Sequence, residues 1–277
     1  HDAKAVGTTN VVQAVLLQED GSLWVGLPSK GLGYLRSDWQ RAAVLGAAQG
    51  LRGGLYRGMG VSGQDHVWLA SSDGVIERVD TRTAEVRSFP FDLPPQEKYR
   101  WHALMEDRQQ RLWAGSNDGL YLFDRDGRVL MQVGRGSVAG ALSRTGVIER
   151  LLQASDGTIW ITLTGYGLQR RSPEDGRWID DLTIDSGHGL ANVDLTRVVL
   201  GPDGHPWIAS RSGLQRWDAT AGRMMSLSEF GDQTVLDIAF DGPRWLWLHR
   251  LGGLEAWELR GDRWQQALTL GPGDGIP

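Results

Sequence analysis

Residues 104–124 read LMEDRQQRLWAGSNDGLYLFD. An alternating apolar stretch is followed by a polar turn, a second apolar stretch that contains Trp113, and Gly119 six residues after that tryptophan. Short alternating runs bounded by polar turns are typical of antiparallel strands with one buried face. The stretch therefore predicts consecutive strands of one antiparallel sheet.

The same pattern occurs six times in the 277-residue chain, and each copy is marked by one tryptophan and one later glycine. The tryptophans are Trp24, Trp68, Trp113, Trp160, Trp207 and Trp247. The glycines are Gly31, Gly74, Gly119, Gly167, Gly213 and Gly253. We expect each glycine to occupy a backbone conformation with positive φ. The copies span approximately residues 11–54, 55–98, 99–145, 146–194, 195–234 and 235–270.

Four short strands in a repeat of this length predict the blade of a β-propeller. Because one small antiparallel sheet cannot bury both of its faces, the sheets must stack around an axis. We expect each tryptophan to fill the space between neighbouring sheets. The sequence thus predicts an all-β chain that forms a single propeller of six four-stranded blades over residues 1–277. The alternative is a part of a seven-bladed or tandem propeller array.

Composition narrows the function classes. The net charge of −5 gives no electrostatic footprint for nucleic acid, and the lack of cysteine excludes disulfides and thiolate metal sites. No apolar run is long enough to span a bilayer, so we expect membrane attachment only through segments outside this chain. The chain begins His1-Asp2 without an initiator methionine, and we expect a mature form or an excised piece of a longer protein.

The repeat resembles the two-component regulator propeller repeat. Residues 104–124 match it best, and GSLWVG at 21–26 and DGIP at 274–277 also fit. This resemblance implies a non-catalytic, periplasmic sensor region of an inner-membrane receptor that works as a homodimer. It also implies that a membrane helix and an output module, a histidine kinase or a diguanylate cyclase, lie elsewhere in the full protein.

Chemistry-bearing motifs are absent from the sequence. There is no nucleophile elbow, zinc-protease motif or P-loop, and no G-x-G-x-x-G stretch lies between a predicted strand and a predicted helix. We therefore predict no catalytic residue, no cofactor and no metal. The turn aspartates Asp20, Asp156 and Asp203 are expected to cap tight turns through their own backbone.

By analogy with other propellers, we expect a ligand at the channel end formed by the linkers between blades and the loops joining the second and third strands. Aromatic, arginine and histidine residues are predicted there, and they suit sugars, oligosaccharides or carboxylated small molecules. They are Arg57, Tyr99, Arg100, Trp101, His102, Tyr166, His188, Arg197, Arg211, His249 and Arg250. For Trp101 the alternative is packing, and for Arg100 and Arg197 it is pairing with neighbouring carboxylates.

Two other functions stay open at this point. A lyase similar to streptogramin lyase would need a metal and a histidine base, and His102 and His188 are the only histidines in the predicted linkers. A protein-interaction platform without any small ligand is the third possibility. The leading prediction is a sensor, ligand-binding or scaffold propeller.

Overall fold

The computed structural model describes residues 14–17, 23–27, 31–35, 42–62, 65–93, 99–134, 147–173, 178–184 and 186–271. The chain divides into two units, residues 1–135 and 136–277. In the described part, each unit contains three four-stranded antiparallel sheets whose strands pair in sequence order. The all-β prediction is confirmed.

The first unit contains sheets 1 to 3. Sheet 1 consists of β1 (Ala14–Leu17), β2 (Leu23–Leu27), β3 (Gly31–Leu35) and β4 (Ala42–Leu45). Sheet 2 consists of β5 (Tyr56–Ser62), β6 (His66–Ser71), β7 (Ile76–Asp80) and β8 (Val86–Ser88). Sheet 3 consists of β9 (Trp101–Glu106), β10 (Leu112–Ser116), β11 (Gly119–Phe123) and β12 (Val129–Gly134).

The second unit contains sheets 4 to 6. Sheet 4 consists of β13 (Ile148–Gln153), β14 (Ile159–Leu163), β15 (Gly167–Arg171) and β16 (Trp178–Ile184). Sheet 5 consists of β17 (Leu195–Leu200), β18 (Pro206–Ser210), β19 (Gly213–Asp218) and β20 (Arg223–Ser226). Sheet 6 consists of β21 (Asp237–Asp241), β22 (Trp245–Arg250), β23 (Gly253–Arg260) and β24 (Arg263–Leu270). Short 3₁₀ turns at Ala47–Gln49, Ser186–His188 and Ser228–Phe230 lie in the linkers.

Three of the repeat tryptophans pack on the sheet that follows their own. Trp68 belongs to a buried cluster with apolar side chains of sheet 3. Trp160 meets Trp217 of sheet 5 edge to face, with 5.2 Å between ring centroids. Trp207 meets Phe240 of sheet 6 in the same way at 5.1 Å. The predicted place between neighbouring sheets is therefore confirmed for these three residues.

The other three repeat tryptophans have different degrees of burial, or a side chain that the structure does not describe. Trp113 is fully buried, and its indole N–H donates to Oδ2 of Asp107 at 2.9 Å. Trp247 is only half-buried. The side chain of Trp24 lies outside the described residues.

The repeat glycines follow the prediction with one exception. Positive φ is found at Gly74, Gly167, Gly213 and Gly253. At Gly119 the prediction was wrong, because φ lies outside the left-handed region. This position needs glycine for space, since a Cβ would lie 2.3 Å from the carbonyl oxygen of Val133. The backbone angle of Gly31 lies outside what the structure describes.

Two of the turn aspartates take the predicted capping role. Oδ1 of Asp156 accepts the N–H of Thr158 at 2.9 Å, and Oδ1 of Asp203 accepts the N–H of His205 at 3.1 Å. Both carboxylates thus satisfy the backbone of the turn between the first and second strands. Asp20 lies outside the described residues.

We predict that Trp160→Ala lowers the free energy of unfolding by about 3–5 kcal/mol, because it removes a large buried side chain between two sheets. The half-buried Trp247 provides the matched comparison, and Trp247→Ala should cost less. Urea unfolding of both variants measures the difference. Equal losses would contradict the assignment of Trp160 to the inter-sheet core.

Candidate functional site

One position on the third strand of sheets 2 to 6 carries a side chain that can hydrogen-bond. This position pairs with the residue directly after the repeat tryptophan. It holds Glu77, Tyr121, Gln169, Gln215 and Glu255, which we call the clamp residues. The first four are almost completely buried, so their polar atoms need partners within the protein.

In sheet 2 the clamp residue binds the linker that precedes the sheet. Oε1 of Glu77 accepts the backbone N–H of Arg52 at 2.8 Å. The hydroxyl of Tyr56 donates to Oε2 of Glu77 and accepts the N–H of Gly53 at 2.9 Å. Burial, together with the hydrogen bond to the Glu77 carboxylate, raises the pKa of Tyr56. The linker is therefore held to the third strand by hydrogen bonds to its peptide groups.

Sheet 5 repeats this arrangement with an amide. Nε2 of Gln215 donates to the carbonyl oxygen of Gly189 at 2.7 Å, and its Oε1 accepts the N–H of Ala191 at 2.8 Å. The predicted site residue His188 directly precedes this clamped segment and is half-buried. Its backbone position is thus set by the clamp.

In sheet 6 the clamp works through an arginine. Oε1 of Glu255 lies 2.9 Å from Nε of Arg250. The guanidinium group donates from Nη1 to the carbonyl oxygen of Gln233 at 3.0 Å and from Nη2 to that of Phe230 at 2.5 Å. Arg250, predicted as a ligand contact, is therefore buried and ties the linker before sheet 6 to the third strand.

Sheet 3 uses aromatic packing around its clamp residue. Tyr121 donates its hydroxyl to Oδ2 of Asp118 at 2.7 Å. Tyr99 stacks on Trp101 at 5.4 Å between centroids, and Trp101 meets Tyr121 edge to face at 5.5 Å. Trp101 is fully buried and donates its indole N–H to the carbonyl oxygen of Gly74 at 3.2 Å. The packing alternative is confirmed for Trp101, which has no exposed surface to offer a ligand.

A β-bulge occurs at the same register in the first strands of sheets 2 to 5. The bulged residues are Arg57, His102, Glu149 and Thr196. In the first unit, β5 and β9 lie close together, because a Cβ on Gly58 would lie 2.2 Å from the carbonyl oxygen of His102. Bulges turn a side chain away from the regular alternation and are frequent beside functional sites. The predicted residues Arg57 and His102 thus occupy equivalent positions on neighbouring sheets.

Charged side chains follow the bulge on the first strands of the second unit. Nε of Arg197 lies 3.2 Å from Oδ1 of Asp237, so Arg197 pairs with a carboxylate, although not with Asp194. Arg150 stands at the equivalent position of sheet 4. Burial lowers the pKa of Arg150, and the positive charge of Arg197 adds to this effect. Sequence reasoning missed Arg150, because its importance follows from register rather than from a motif.

The remaining predicted residues lie on loops and strand ends. Arg100 is exposed, and its backbone N–H donates to Oδ1 of Asn117 at 2.9 Å. Tyr166 is 43% exposed in the loop of sheet 4, and His249 is exposed near the end of β22. A ligand-binding role for these residues stays a prediction.

A cavity of about 540 Å³ opens in the second unit. It lies between the loops that join the second and third strands of sheets 5 and 6 and the linker between these sheets. Among its lining residues are Arg211, Asp232, Gln233, Arg250, Leu251 and Glu255. The structure therefore brings the predicted residues Arg211 and Arg250 together. They lie on the loops that join the second and third strands, where the sequence analysis predicted ligand binding. A volume of this size is in the range of small-molecule sites.

Within the described ranges, no group of three or more histidine, aspartate or glutamate side chains is arranged to hold a metal ion. In the same part of the chain, no helix has the length and apolar character needed to cross a bilayer.

Comparison with known proteins gives matches in structure. No protein-family model matches the chain, and no curated protein matches it in sequence. Two solved structures contain the extracellular domain of BT4673 from B. thetaiotaomicron, described in one as a hybrid two component system and in the other as a one component system. They match with TM-scores of 0.72 and 0.70 at 17% identity. Each match covers 96% of this chain, which spans 37% of the length of those chains.

A different kind of protein shares the fold. A catalytically inactive virginiamycin B lyase from Staphylococcus aureus, solved with quinupristin, matches with a TM-score of 0.65 at 12% identity. This match covers 92% of the present chain and 83% of the lyase. At these identities the likenesses show the fold alone. They support an all-β, propeller-type architecture of antiparallel sheets.

We predict that Arg250→Met destabilises the protein by about 3–5 kcal/mol, because it leaves the Glu255 carboxylate and two linker carbonyl groups without their buried partner. Arg263 is exposed and has no ion pair within the described residues, so Arg263→Met is the control and should change stability by less than about 0.5 kcal/mol. Urea unfolding measures both variants. A small effect of Arg250→Met would show that the linker is held by other contacts.

Alkaline pH should weaken the fold through Tyr56 and Tyr121, whose hydroxyl groups donate to carboxylates. An unfolded tyrosine loses its proton near pH 10, whereas burial and a carboxylate partner raise the pKa of Tyr56 and of Tyr121. Above pH 10 the folded state therefore binds more protons than the unfolded state, and stability falls by about 1.4 kcal/mol per pH unit for each tyrosine.

The measurement is the slope of unfolding free energy against pH between 10 and 11.5. Tyr56→Phe should reduce this slope by the contribution of one tyrosine, whatever its effect on stability at neutral pH. An unchanged slope would contradict the coupling between Tyr56 and Glu77.

Proposed function

We propose that this chain is the non-catalytic, ligand-sensing region of a bacterial transmembrane signalling receptor and that it lies in the periplasm. The observation that carries the proposal is the fold likeness to the extracellular domain of BT4673, which extends over 96% of the chain. The six phased repeats resemble the propeller repeats of such receptors and support the same conclusion.

In this proposal the six sheets are the six blades of one propeller. A membrane segment and a histidine kinase or diguanylate cyclase module belong to parts of the full protein outside these 277 residues, and the full receptor is a homodimer. Ligand binding changes the packing between this region and its neighbour. The signal is therefore a shift of the equilibrium between two packing arrangements of this region and its neighbour. The shift occurs because the ligand binds one arrangement more tightly than the other.

The cavity lining favours binding over turnover. Of the described residues that line it, none is a histidine, the general base that the lyase alternative requires. Arg211, Asp232 and Gln233 instead offer hydrogen-bonding groups that recognise a small polar molecule. These groups support a sensor more than a lyase.

The test is the full-length gene product in membranes. We expect the gene to encode a membrane-spanning segment and an output module, and we expect small-molecule ligands of the purified chain to change autophosphorylation or cyclic-di-GMP synthesis. Deletion of residues 1–277 should abolish that response while leaving basal output measurable. A gene without a membrane segment and output module would overturn the proposal.

The two other functions make different predictions for the purified chain. Elimination activity on quinupristin that is lost in His188→Ala would favour the lyase. A tight homodimer in analytical ultracentrifugation, combined with no thermal shift by any small molecule, would favour an interaction platform. The sensor proposal expects neither result.

A further inference from the structure

Hydrogen bonds within the protein tie the walls of the cavity to one another. Arg250 holds the linker through the carbonyl oxygens of Phe230 and Gln233. Thr234 donates its hydroxyl to the carbonyl oxygen of Arg211 at 3.2 Å, which ties the loop of sheet 5 to the same linker. A site whose loops are already ordered loses little conformational entropy on binding, so its contacts contribute more fully to affinity.

The loop of sheet 5 and the linker approach each other closely. A Cβ on Gly213 would lie 2.7 Å from the carbonyl oxygen of Gly231 and 3.2 Å from Cα of Asp232. Gly213 also has φ of +88°, which disfavours other residues. This contact places Arg211 and Asp232 on adjacent walls of the cavity.

Arg211 and Asp232 are the two charged groups of the cavity that remain available. Both are exposed, and within the described residues neither side chain has a hydrogen bond or an ion pair, even with the other. The charges of Arg250 and Glu255, by contrast, are paired at 2.9 Å. The cavity therefore offers one free guanidinium group and one free carboxylate on a lining whose formal charges sum to zero.

We propose that this cavity binds a small monocarboxylate that also carries hydroxyl or ammonium donors, such as a sugar acid or an amino acid. Arg211 contacts the ligand carboxylate through two parallel N–H···O bonds, the geometry that a guanidinium group favours. Asp232 accepts hydrogen bonds from the donors of the ligand. Leu251, 82% exposed on the loop of sheet 6, provides an apolar contact at the cavity mouth.

The charge arrangement decides between classes of anion. A phosphate dianion would gain from Arg211 but would face the carboxylate of Asp232, and like charges at short range are unfavourable. A neutral sugar would leave the guanidinium group without an acceptor of opposite charge. A monocarboxylate with donors satisfies both free groups.

This inference deepens the proposed sensing function, on which its biological role rests, but binding itself is measured on the purified chain. Isothermal titration and thermal shift are carried out with D-glucuronate, glycine, D-glucose and inorganic phosphate. Glucose is the matched neutral sugar for glucuronate. We expect glucuronate or glycine to bind and to raise Tm, and we expect glucose and phosphate to bind at least tenfold more weakly.

Variants assign the binding to the named residues. Arg211→Gln should weaken carboxylate binding by about 10- to 100-fold, because it removes a charge-assisted pair of hydrogen bonds. Arg263→Gln makes the same charge change at the β23–β24 turn, outside the cavity lining, and should leave the affinity unchanged. Neither position is buried, so both variants should fold like the parent chain.

Asp232→Asn distinguishes a ligand that donates hydrogen bonds from hydroxyl groups from one that donates them from an ammonium group. The amide oxygen still accepts a hydrogen bond from a sugar hydroxyl but no longer carries the charge that attracts an ammonium group. Glucuronate binding should therefore fall by less than glycine binding. An equal loss for both ligands would remove the role given to Asp232.

The proposal is overturned if neither carboxylate binds below about 10 mM, if glucose or phosphate binds as tightly, or if Arg211→Gln has no effect. Failure of the sensor function looks different. If binding depends on Arg211 but the full protein has no output module, the binding-site proposal stands and the receptor proposal is wrong. If the receptor response to the ligand is unchanged in Arg211→Gln, the receptor proposal stands and the binding-site proposal is wrong.

Discussion

The linkers between consecutive sheets pose the constraint on which the rest of this structure depends. A linker crosses from the outer strand of one sheet to the first strand of the next, so its peptide groups cannot join a strand ladder, and buried peptide groups without partners are costly. In sheets 2, 5 and 6 the clamp residues remove part of this cost. Glu77 and Gln215 accept linker N–H groups, Gln215 also donates to a linker carbonyl, and Glu255 orients Arg250 for the same task. The linkers thus limit the order and spacing of neighbouring sheets, and the tryptophans pack between these sheets.

The same device positions the candidate site. The Arg250 that holds the linker before sheet 6 also lines the cavity, and the contact at Gly213 brings the loop of sheet 5 against that linker. Arg250 and Glu255 pair with each other, and Arg250 also binds the linker, so their charges are already neutralised within the protein. The charges that can bind a ligand are those of Arg211, on the exposed loop, and Asp232, on the linker. This division explains why residues that look alike in the sequence, Arg211 and Arg250, take different roles.

Much of the fold could be predicted from the sequence, because its determinants recur at fixed positions. The tryptophan and the later glycine recur in all six copies, and the turn aspartates recur in three of them. The described sheets each fall within one predicted repeat. The clamp position could not be found in this way. It holds glutamate, tyrosine or glutamine, and only strand register shows that these residues are equivalent. The bulges at Glu149 and Thr196 were missed for the same reason, since a bulge is a property of pairing. Trp101 was placed near the right loops, but the stack with Tyr99 and the fit against Tyr121 depend on tertiary packing.

Hydrogen exchange of the linker amides tests the role of the clamp residues most directly. The amide of Ala191 is the probe, because Oε1 of Gln215 accepts its N–H, and Gln215→Met removes this acceptor with little change in volume. The account predicts a protected Ala191 amide in the parent chain and exchange about 10- to 100-fold faster in Gln215→Met, with the amides of β18 still protected. An Ala191 amide that exchanges freely in the parent chain, or one whose protection is unchanged in Gln215→Met, would contradict the account.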